Sequence, residues 1–320
     1  MKDVARVAGV SVGTVSKVFN GQKVGEGYRQ RVLKAAKDLN FQINRSAKAL
    51  RSGKSFTVAL MLPDLLDPFR ADFALKVFDA LARNECSMLL FLTHGQQEEE
   101  TRCLRQALAH GADGIIALCQ WLPEVEEDQR LVTIDAAYLT SSPSVTSDNF
   151  GGGQLVAETL HKLGCRQLLG LQDQFSAFGE RQKRLLGFEL TGRSLGLVCD
   201  LCRSEDADGE PVWTCLRAHT QGKKLDYDGI FCTSDDLAYQ VRQYLAECGI
   251  SVPEQVQLIG YGGLMVDGMQ GFACSTIRIP VQEMAETAVE LVLGKRQEHS
   301  GAICLNVEYV PGKTTKGGSP

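Results

Sequence analysis

The sequence lacks the features that would place the chain in a membrane, direct it to secretion or mark it as an enzyme. No run of 18 apolar residues occurs, and the opening MKDVARVAGVS has no apolar stretch of the kind that a secretory signal requires. The five histidines are dispersed, no GxSxG motif occurs, and no group of nucleophile, base and metal ligands can be assembled. We therefore expect a cytoplasmic protein that is not an enzyme and uses no cofactor.

Cysteine is not scarce. The chain has eleven, scattered through apolar segments, as expected of small buried side chains in a reducing compartment. One group of four residues has zinc-finger spacing: Cys199, Cys202, Cys215 and His219. The alternative places residues 197–202 in a strand and 211–221 in a helix of an ordinary domain. Because the segment lacks the tight turn that usually holds a finger's first cysteine pair, we favour this alternative and predict no metal.

A phosphate-binding loop is also excluded. Gly151, Gly152 and Gly153 form a run, but the Lys-Ser or Lys-Thr pair that completes such a loop does not follow. We interpret the run as the flexible start of a helix.

Charge is distributed unevenly along the chain. The net charge is −5, yet residues 1–54 contain seven lysines and five arginines against two aspartates and one glutamate, a local +9. The remainder therefore carries −14. A basic head on an acidic body is expected when only the head faces a polyanion such as DNA.

Residues 3–20 have the pattern of a helix-turn-helix. Apolar residues fall on one face of each of two short helices: Val4, Ala5 and Ala8, then Val15, Val18 and Phe19. Gly9 permits the tight turn between them, Ser11 can cap the second helix, and Val10 fills the crossing point. A third helix over residues 29–39 closes a three-helix core with four apolar residues: Val32, Leu33, Ala36 and Leu39.

In a helix-turn-helix, the first residues of the second helix meet base edges in the major groove. Here these are Val12, Gly13 and Lys17, whereas the short polar side chains of Thr14, Ser16 and Asn20 suit phosphates. The alternative is an amphipathic helical hairpin with no role in DNA binding, and the local charge of +9 argues against it.

Residues 44–51 form a single basic helical turn with small residues on one face. Its one leucine, Leu50, suits insertion between base pairs from the minor groove. The alternative is a plain linker.

Together these segments resemble the LacI/GalR family of bacterial repressors. The resemblance lies in DVARVAGVSVGTVSKVFNG, Arg29-x-Arg31-Val32-Leu33-x-Ala35-Ala36 and Asn44-Arg45-x-Ala47-x-x-Leu50. It implies a homodimer, with a tetramer as an alternative, whose two heads read a pseudo-palindromic DNA operator. It also implies hinge helices over about 44–51 that contact DNA through four residues: Asn44, Arg45, Ala47 and Leu50.

The head departs from the family pattern at a few positions. Lys17 replaces the usual arginine and removes bidentate reading of a guanine, so the operator is expected to differ from the family's common one. Gly25 and Tyr28 replace a serine and a threonine, and Gly25 is the poorer helix cap.

From residue 55 onward, apolar runs alternate with amphipathic helical stretches. Eight runs are strand candidates: 56–62, 88–93, 114–118, 131–135, 167–171, 229–232, 256–261 and 275–279. Their continuous hydrophobicity indicates an α/β fold with parallel sheets flanked by helices. About ten such units exceed one sheet. We therefore predict a helix-turn-helix domain at 1–54 and an effector-binding, dimerising domain at 55–320, with subdomains of about 55–148 plus 277–303 and 149–276 plus 304–320.

Ligands of such sheets bind beyond the carboxyl ends of the strands. This rule selects residues 64–70, Thr93, His94, Asp135, Gln172, Asp173, 234–236 and Tyr261. For any single one of them, a solvated loop or a helix cap is the plainer explanation.

The family resemblance continues in order through the body. It is carried by Pro63-Asp64-x-x-Asp67-Pro68-Phe69, Gly111-Ala112-Asp113-Gly114, Ile134-Asp135, Arg184-Leu185-x-Gly187-Phe188, Asp235-x-Leu237-Ala238 and Ile259-Gly260-Tyr261. It implies that Phe69 stacks on a sugar, that Asp135 and Arg184 hydrogen-bond its hydroxyls, and that Ser234 and Asp235 lie beside it.

Two departures concern the ligand. Gly262 and Gly263 stand where the family usually has two aspartates, so a directional acceptor is missing. Arg70 replaces a common aromatic and favours a phosphate or carboxylate. The effector is therefore phosphorylated or smaller, or Asp267 substitutes for the acceptor, or the effector response has been lost.

These observations predict a nucleoid-associated, sequence-specific DNA-binding regulator, a repressor whose operator affinity changes with a bound sugar or phosphorylated sugar. The alternative is a sugar-binding protein without a regulatory response, which would have no use for residues 3–50.

Overall fold

The structure is a computed structural model, and it describes residues 1–19, 21–41, 53–119, 121, 130–136, 142–172, 179–203, 210–263, 273–296 and 301–317. The chain divides into two compact units, Met1–Phe56 and Thr57–Pro320. Asn20, Asp173, Asp267 and the hinge residues Asn44, Arg45, Ala47 and Leu50 lie outside the described residues.

The described part of the smaller unit contains three helices: α1 Lys2–Ala8, α2 Val12–Phe19 and α3 Glu26–Asp38. Gly9 ends α1 in the left-handed conformation, with φ of 62°, which glycine adopts without steric cost. The Ser11 hydroxyl accepts a hydrogen bond of 3.1 Å from the Thr14 amide. The predicted roles of Gly9 and Ser11 are therefore confirmed.

The core of this unit differs from the prediction at two leucines. Leu33 and Leu39 are 47% and 42% exposed, so the expectation that they face inward is wrong. Helical geometry gives the inner face of α3 to Val32, Ala35 and Ala36, and Leu33 points about 100° away from Val32. Two aromatic rings from outside α3 fill the remaining space in this core: those of Phe19 and Phe41, which lie 5.6 Å apart.

The larger unit is an α/β structure with two six-stranded sheets, as predicted. Sheet 1 is wholly parallel, and its spatial order is β13-β5-β4-β3-β1-β2. Its strands are β1 Thr57–Leu62, β2 Ser87–Leu92, β3 Gly114–Ala117, β4 Leu131–Ile134, β5 Ser144–Ser147 and β13 Ala302–Leu305.

Sheet 2 has the order β14-β12-β11-β10-β6-β7 and is parallel except at β14. Its strands are β6 Gln167–Gln172, β7 Val198–Arg203, β10 Gly229–Cys232, β11 Gln257–Gly262, β12 Ser275–Arg278 and β14 Glu308–Val310. A short hairpin pairs β8 Thr220–Gln221 with β9 Lys224–Leu225. Buried apolar residues fill most central strands of both sheets, because helices cover both faces.

The helices of the larger unit are α4 Pro68–Arg83, α5 Gln97–Ala109, α6 Asn149–Lys162, α7 Gln182–Ser194, α8 Glu210–Ala218, α9 Asp235–Glu247 and α10 Val281–Val292. The chain passes from sheet 1 to sheet 2 at α6, returns through α10 to β13, and ends in sheet 2 at β14. In the part of the chain that the structure describes, no helix is long and apolar enough to cross a membrane.

The glycine run does begin a helix, α6, but close packing rather than flexibility explains it. A Cβ added at Gly153 would overlap the carbonyl oxygen of Arg184, and one at Gly187 would overlap that of Phe150. Helices α6 and α7 therefore touch backbone to backbone, and only glycine fits at these two positions.

Cys199 does not converge with the other members of the cysteine group that has zinc-finger spacing. Residues 198–203 form the strand β7, so Cys199 and Cys202, three residues apart, point to opposite faces of sheet 2. Cys199 packs against Gly192 of α7, whereas the Cys202 sulfur lies 3.2 Å from the Pro211 carbonyl oxygen of α8. The predicted strand is confirmed, and the predicted helix is confirmed as far as Ala218, whereas Thr220 and Gln221 belong to β8.

Candidate functional site

A cavity of about 400 Å³ lies in the larger unit, where residues after strands of both sheets meet. Its lining from sheet 1 follows β1 and comprises Asp64, Leu66, Asp67, Pro68, Phe69 and Arg70. Its lining from the side of sheet 2 comprises Gln172, Arg181, Arg184, Thr233, Ser234, Asp235, Asp236, Tyr261, Gly262 and Ile279. The size and the mixture of apolar and polar walls suit a small molecule.

Arg184 is the most firmly held polar group of the cavity. Its Nε donates to Asn149 Oδ1 at 2.7 Å and its Nη1 donates to the Thr233 carbonyl at 2.8 Å. The guanidinium carbon lies 3.8 Å from the centre of the Tyr261 ring, a cation–π contact. Burial lowers the pKa of Arg184 to about 10, which leaves the side chain charged at neutral pH.

Phe69 supplies an aromatic wall. It lies in the first turn of α4, two residues after the cap residue Asp67, whose Oδ1 accepts the Phe69 amide at 2.9 Å. Its ring stacks on Phe73 with centroids 6.0 Å apart. The cap and the stacked ring fix the orientation of Phe69 towards the cavity.

Arg70 is already paired with carboxylates. Its Nη1 donates to Asp64 Oδ2, and its Nε lies 4.0 Å from Asp67 Oδ2. Partial burial acts to raise the pKa of Asp64, but the Leu66 amide and the charge of Arg70 outweigh it, so this pKa is lowered. The positive charge of Arg70 is therefore balanced within the protein.

One ion pair joins the two sides of the cavity. The Nη2 of Arg181, which precedes α7, donates to Asp67 Oδ2 at 3.1 Å. Asp67 follows a strand of sheet 1, whereas α7 packs on sheet 2. The pair thus spans the cleft between the two sheets.

Ser234 and Asp235 line the cavity while stabilising their own surroundings. The Ser234 hydroxyl caps α9 by accepting the Leu237 amide at 3.2 Å. Asp235 accepts the Thr276 hydroxyl at 2.6 Å and the Gly263 amide at 2.8 Å. Gly263 has φ of 81°, and a Cβ there would lie 2.7 Å from Arg278 Cγ, so this backbone turn onto Asp235 requires glycine.

Asp135 is absent from the described lining of the cavity. It follows β4 with φ of 50°, and its Oδ1 accepts the Thr146 hydroxyl at 2.7 Å. Burial raises its pKa, and the charge of Arg184 acts in the opposite direction. Thr93 and His94 are likewise not among the described residues that line the cavity.

The strand-end rule found most of the lining, and two of three missed residues could have been found by extending it. Thr233 directly follows β10 and Ile279 directly follows β12. Arg181 lies one helical turn before Arg184, so a scan for basic residues three apart would have selected it.

In the smaller unit, α2 presents its predicted reading residues outward. Val12, Gly13 and Lys17 are exposed, whereas Thr14 and Ser16 are half-buried. Val15 is fully buried and fixes the helix on the core. The Thr14 hydroxyl shares a hydrogen bond of 2.9 Å with the Ser11 hydroxyl.

Two family descriptions match the chain. Residues 1–44 match bacterial regulatory proteins of the lacI family, and residues 157–315 match a periplasmic binding protein-like domain. The sucrose operon repressor of Pediococcus pentosaceus is 26% identical, with 99% of this chain and 98% of the relative covered. The ribose operon repressor of Bacillus subtilis is 29% identical, also with 99% and 98% covered.

Solved structures share the fold of this chain. The lac repressor dimer bound to operator and an anti-inducer superposes with a TM-score of 0.77, at 20% identity, and covers 98% of both chains. A periplasmic binding protein/LacI regulator from Alkaliphilus metalliredigens, complexed with D-xylulofuranose, has a TM-score of 0.68 at 25% identity. It covers 81% of this chain and 98% of its own.

Proposed function

Because the chain joins a lacI-family helix-turn-helix to a periplasmic-binding-protein-like domain, and so belongs to the LacI family of bacterial regulators, we propose how its parts control DNA binding. The protein is a sequence-specific DNA-binding repressor, and a sugar or sugar-derived effector changes its affinity for the operator. One observation carries this conclusion: a cavity with a fixed arginine and an aromatic wall occurs in a chain whose other unit exposes a helix-turn-helix. The sucrose and ribose operon repressors among its relatives support the same function.

Val12, Gly13 and Lys17 read base edges in this proposal, because they are exposed at the start of α2. Thr14, Ser16 and Asn20 contact phosphates and set the register. The hinge at about 44–51 binds the minor groove through Asn44, Arg45 and Ala47, and Leu50 is inserted between base pairs.

The effector is an uncharged sugar. Arg184 donates to its hydroxyls and Phe69 covers its apolar face, while Asp135 acts through Arg184. Four aspartates and three arginines line the cavity, and the charge of Arg70 is balanced by Asp64, so a phosphate would find no net positive charge. Relatives of this fold that were solved with D-xylulofuranose or cellobiose support a sugar.

The functional unit is a homodimer, and an exposed apolar surface supports this. On α4, Leu75 and Phe78 are 54% and 52% exposed and lie one turn apart. On the edge strand β2, Leu90 and Leu92 are exposed and share a face with Met88, which packs against the core that α4 helps to form. An apolar surface of this kind marks an association site.

Binding of the effector and binding of the operator are coupled through two conformational states of the larger unit. The Asp67–Arg181 pair spans the cleft, so a ligand between the sheets that changes their separation also changes this contact. For this to alter operator affinity, the effector must bind the two states unequally.

The test begins with selection of DNA fragments bound by the purified full-length protein. The selected operator is then titrated with the protein, with and without ribose, sucrose, xylulose, cellobiose and their phosphates. We expect nanomolar, salt-sensitive binding to a pseudo-palindrome and a shift with an uncharged sugar. Sugar binding without any selected DNA would instead indicate a sugar-binding protein without regulatory function. A response only to phosphorylated sugars would contradict the uncharged effector.

A further inference from the structure

Cys202 and Cys215 form a pair of neighbouring thiols that the regulatory function leaves unexplained. Cys202 lies on β7, the edge strand of sheet 2, and Cys215 lies on α8, the helix that packs against this strand. The Cys202 thiol donates to the Pro211 carbonyl of α8 at 3.2 Å, and Cys215 lies one helical turn beyond Pro211, so the two thiols are neighbours at this contact. Both cysteines are half-buried, so a small molecule in solvent can reach them.

A polar group stands next to this pair. His219 follows Cys215 by four residues, at the end of α8, and its Nδ1 lies 3.0 Å from Asp226 Oδ2. The imidazole therefore lies about one helical turn from Cys215.

The contact gives the two thiols different pKa values and therefore different roles. The neighbouring Cys202 lowers the pKa of Cys215 to about 7, with His219 acting in the same direction and burial and Asp200 opposing it. The neighbouring Cys215 and burial raise the pKa of Cys202. Near neutral pH, Cys215 is therefore the nucleophilic thiolate and Cys202 the thiol that can resolve a product formed on it.

Three buried cysteines differ from this pair. Burial raises the pKa of Cys165 and Cys199 to about 11 and that of Cys274 to about 12. Such thiols are mainly protonated at neutral pH and react slowly.

We propose that Cys202 and Cys215 are a modification site at which hydrogen peroxide forms a disulfide between β7 and α8. The Cys215 thiolate attacks one peroxide oxygen, the O–O bond breaks, and the departing hydroxide takes a proton to become water. The Cys202 sulfur then attacks the sulfur of the Cys215 sulfenic acid, and the S–O bond breaks. The hydroxyl group leaves with the Cys202 proton as a second water. The two thiols lose two electrons, and the peroxide gains them.

The test uses the reduced full-length protein, a stoichiometric amount of hydrogen peroxide and alkylation of the remaining thiols. Mass spectrometry should show a loss of two hydrogen atoms, a Cys202–Cys215 cross-linked peptide, and reversal by dithiothreitol. The rate should rise with pH to half its maximum near pH 7, because the Cys215 thiolate is the reacting form. A midpoint near the ordinary thiol value, or faster oxidation at another cysteine, would overturn the proposal.

Single substitutions separate the two roles. Cys202→Ser should prevent the disulfide but leave a sulfenic acid on Cys215 that dimedone traps. Cys215→Ser should prevent both and slow peroxide consumption about tenfold or more, since only ordinary thiols remain. Cys248→Ser, a half-buried cysteine on another helix end, is the matched control and should react like the unmodified protein. Equal rates for Cys215→Ser and the control would contradict the proposal.

Discussion

Arg184 shows most clearly how one residue serves both the fold and the site. Its hydrogen bonds to Asn149 and Thr233 connect α6 to the end of β10, and its guanidinium covers Tyr261. A planar group that donates in several directions is needed here, and a lysine ammonium does not reproduce it. The residue that we assign to the effector is therefore also a buried structural link.

Arg184→Lys should weaken effector binding about 10- to 100-fold, because the positive charge remains but the directed donors and the stacked plane are lost. Isothermal titration with the sugar that shifts operator binding in the test above measures this, and thermal unfolding checks that the body is intact. Arg193→Lys, at an exposed position of the same helix, is the control and should bind normally. Unchanged affinity in Arg184→Lys would remove Arg184 from the binding site.

At the scale of elements, the contact between α6 and α7 positions the cavity. Gly153 and Gly187 allow the two backbones to touch, and this contact places Arg184 next to Asn149. The apparent loop motif Gly151–Gly153 is thus a packing device. A side chain at either contact position would separate the helices that hold the site.

Gly153→Ala should destabilise the larger unit by about 3 kcal/mol or more, because the new Cβ meets the rigid backbone of Arg184 and Phe188. Urea denaturation followed by circular dichroism measures the free energy of unfolding. As a control, Gly27→Ala lies in α3 with open space around it and should stabilise the smaller unit by about 0.5–1 kcal/mol. A Gly153→Ala protein as stable as the unmodified chain would contradict the packing argument.

The hinge segment gives a second prediction at this scale. Leu50→Ala should weaken binding to the selected operator at least about tenfold, since the wedge between base pairs is lost. Weak, salt-dependent binding to unrelated DNA should remain, because the basic residues of 44–51 are retained. Filter binding at several salt concentrations measures both affinities. An equal loss of both would refute the wedge.

On the scale of the whole molecule, the distribution of charge concerns DNA binding, and the exposed apolar surface concerns association. The basic head carries +9 and the rest −14, so DNA is attracted to the head and repelled by the rest of the chain. In the proposed homodimer, exposed apolar side chains of α4 and β2 form the association surface, and the two heads meet two half-sites.

Phe78→Glu should dissociate the dimer, because a charge is placed in an apolar contact without a partner. Analytical ultracentrifugation should show a monomer, and operator binding should fall about 100-fold or more because one head alone meets one half-site. Leu186→Glu, at a similarly exposed apolar position of α7, should leave the dimer intact. A Phe78→Glu dimer would place the interface elsewhere.

The sequence by itself determined the local features. The turn at Gly9, the cap at Ser11 and the alternation of strands and helices follow from short-range geometry, so they were predictable residue by residue. The strand-end rule then located most of the cavity lining.

Tertiary structure decided how distant charges and faces combine. The balance of Arg70 by Asp64 and Asp67, the pair between Asp67 and Arg181, and the role of the glycine run as a helix contact all depend on the packed arrangement. The predicted inward direction of Leu33 failed because Phe19 and Phe41 complete that core instead. Residue spacing also could not show that Cys199 and Cys202 face opposite ways until β7 was placed in its sheet. Contacts between packed elements fix each of these outcomes, and the local propensity of a residue for helix or strand carries no information about such contacts.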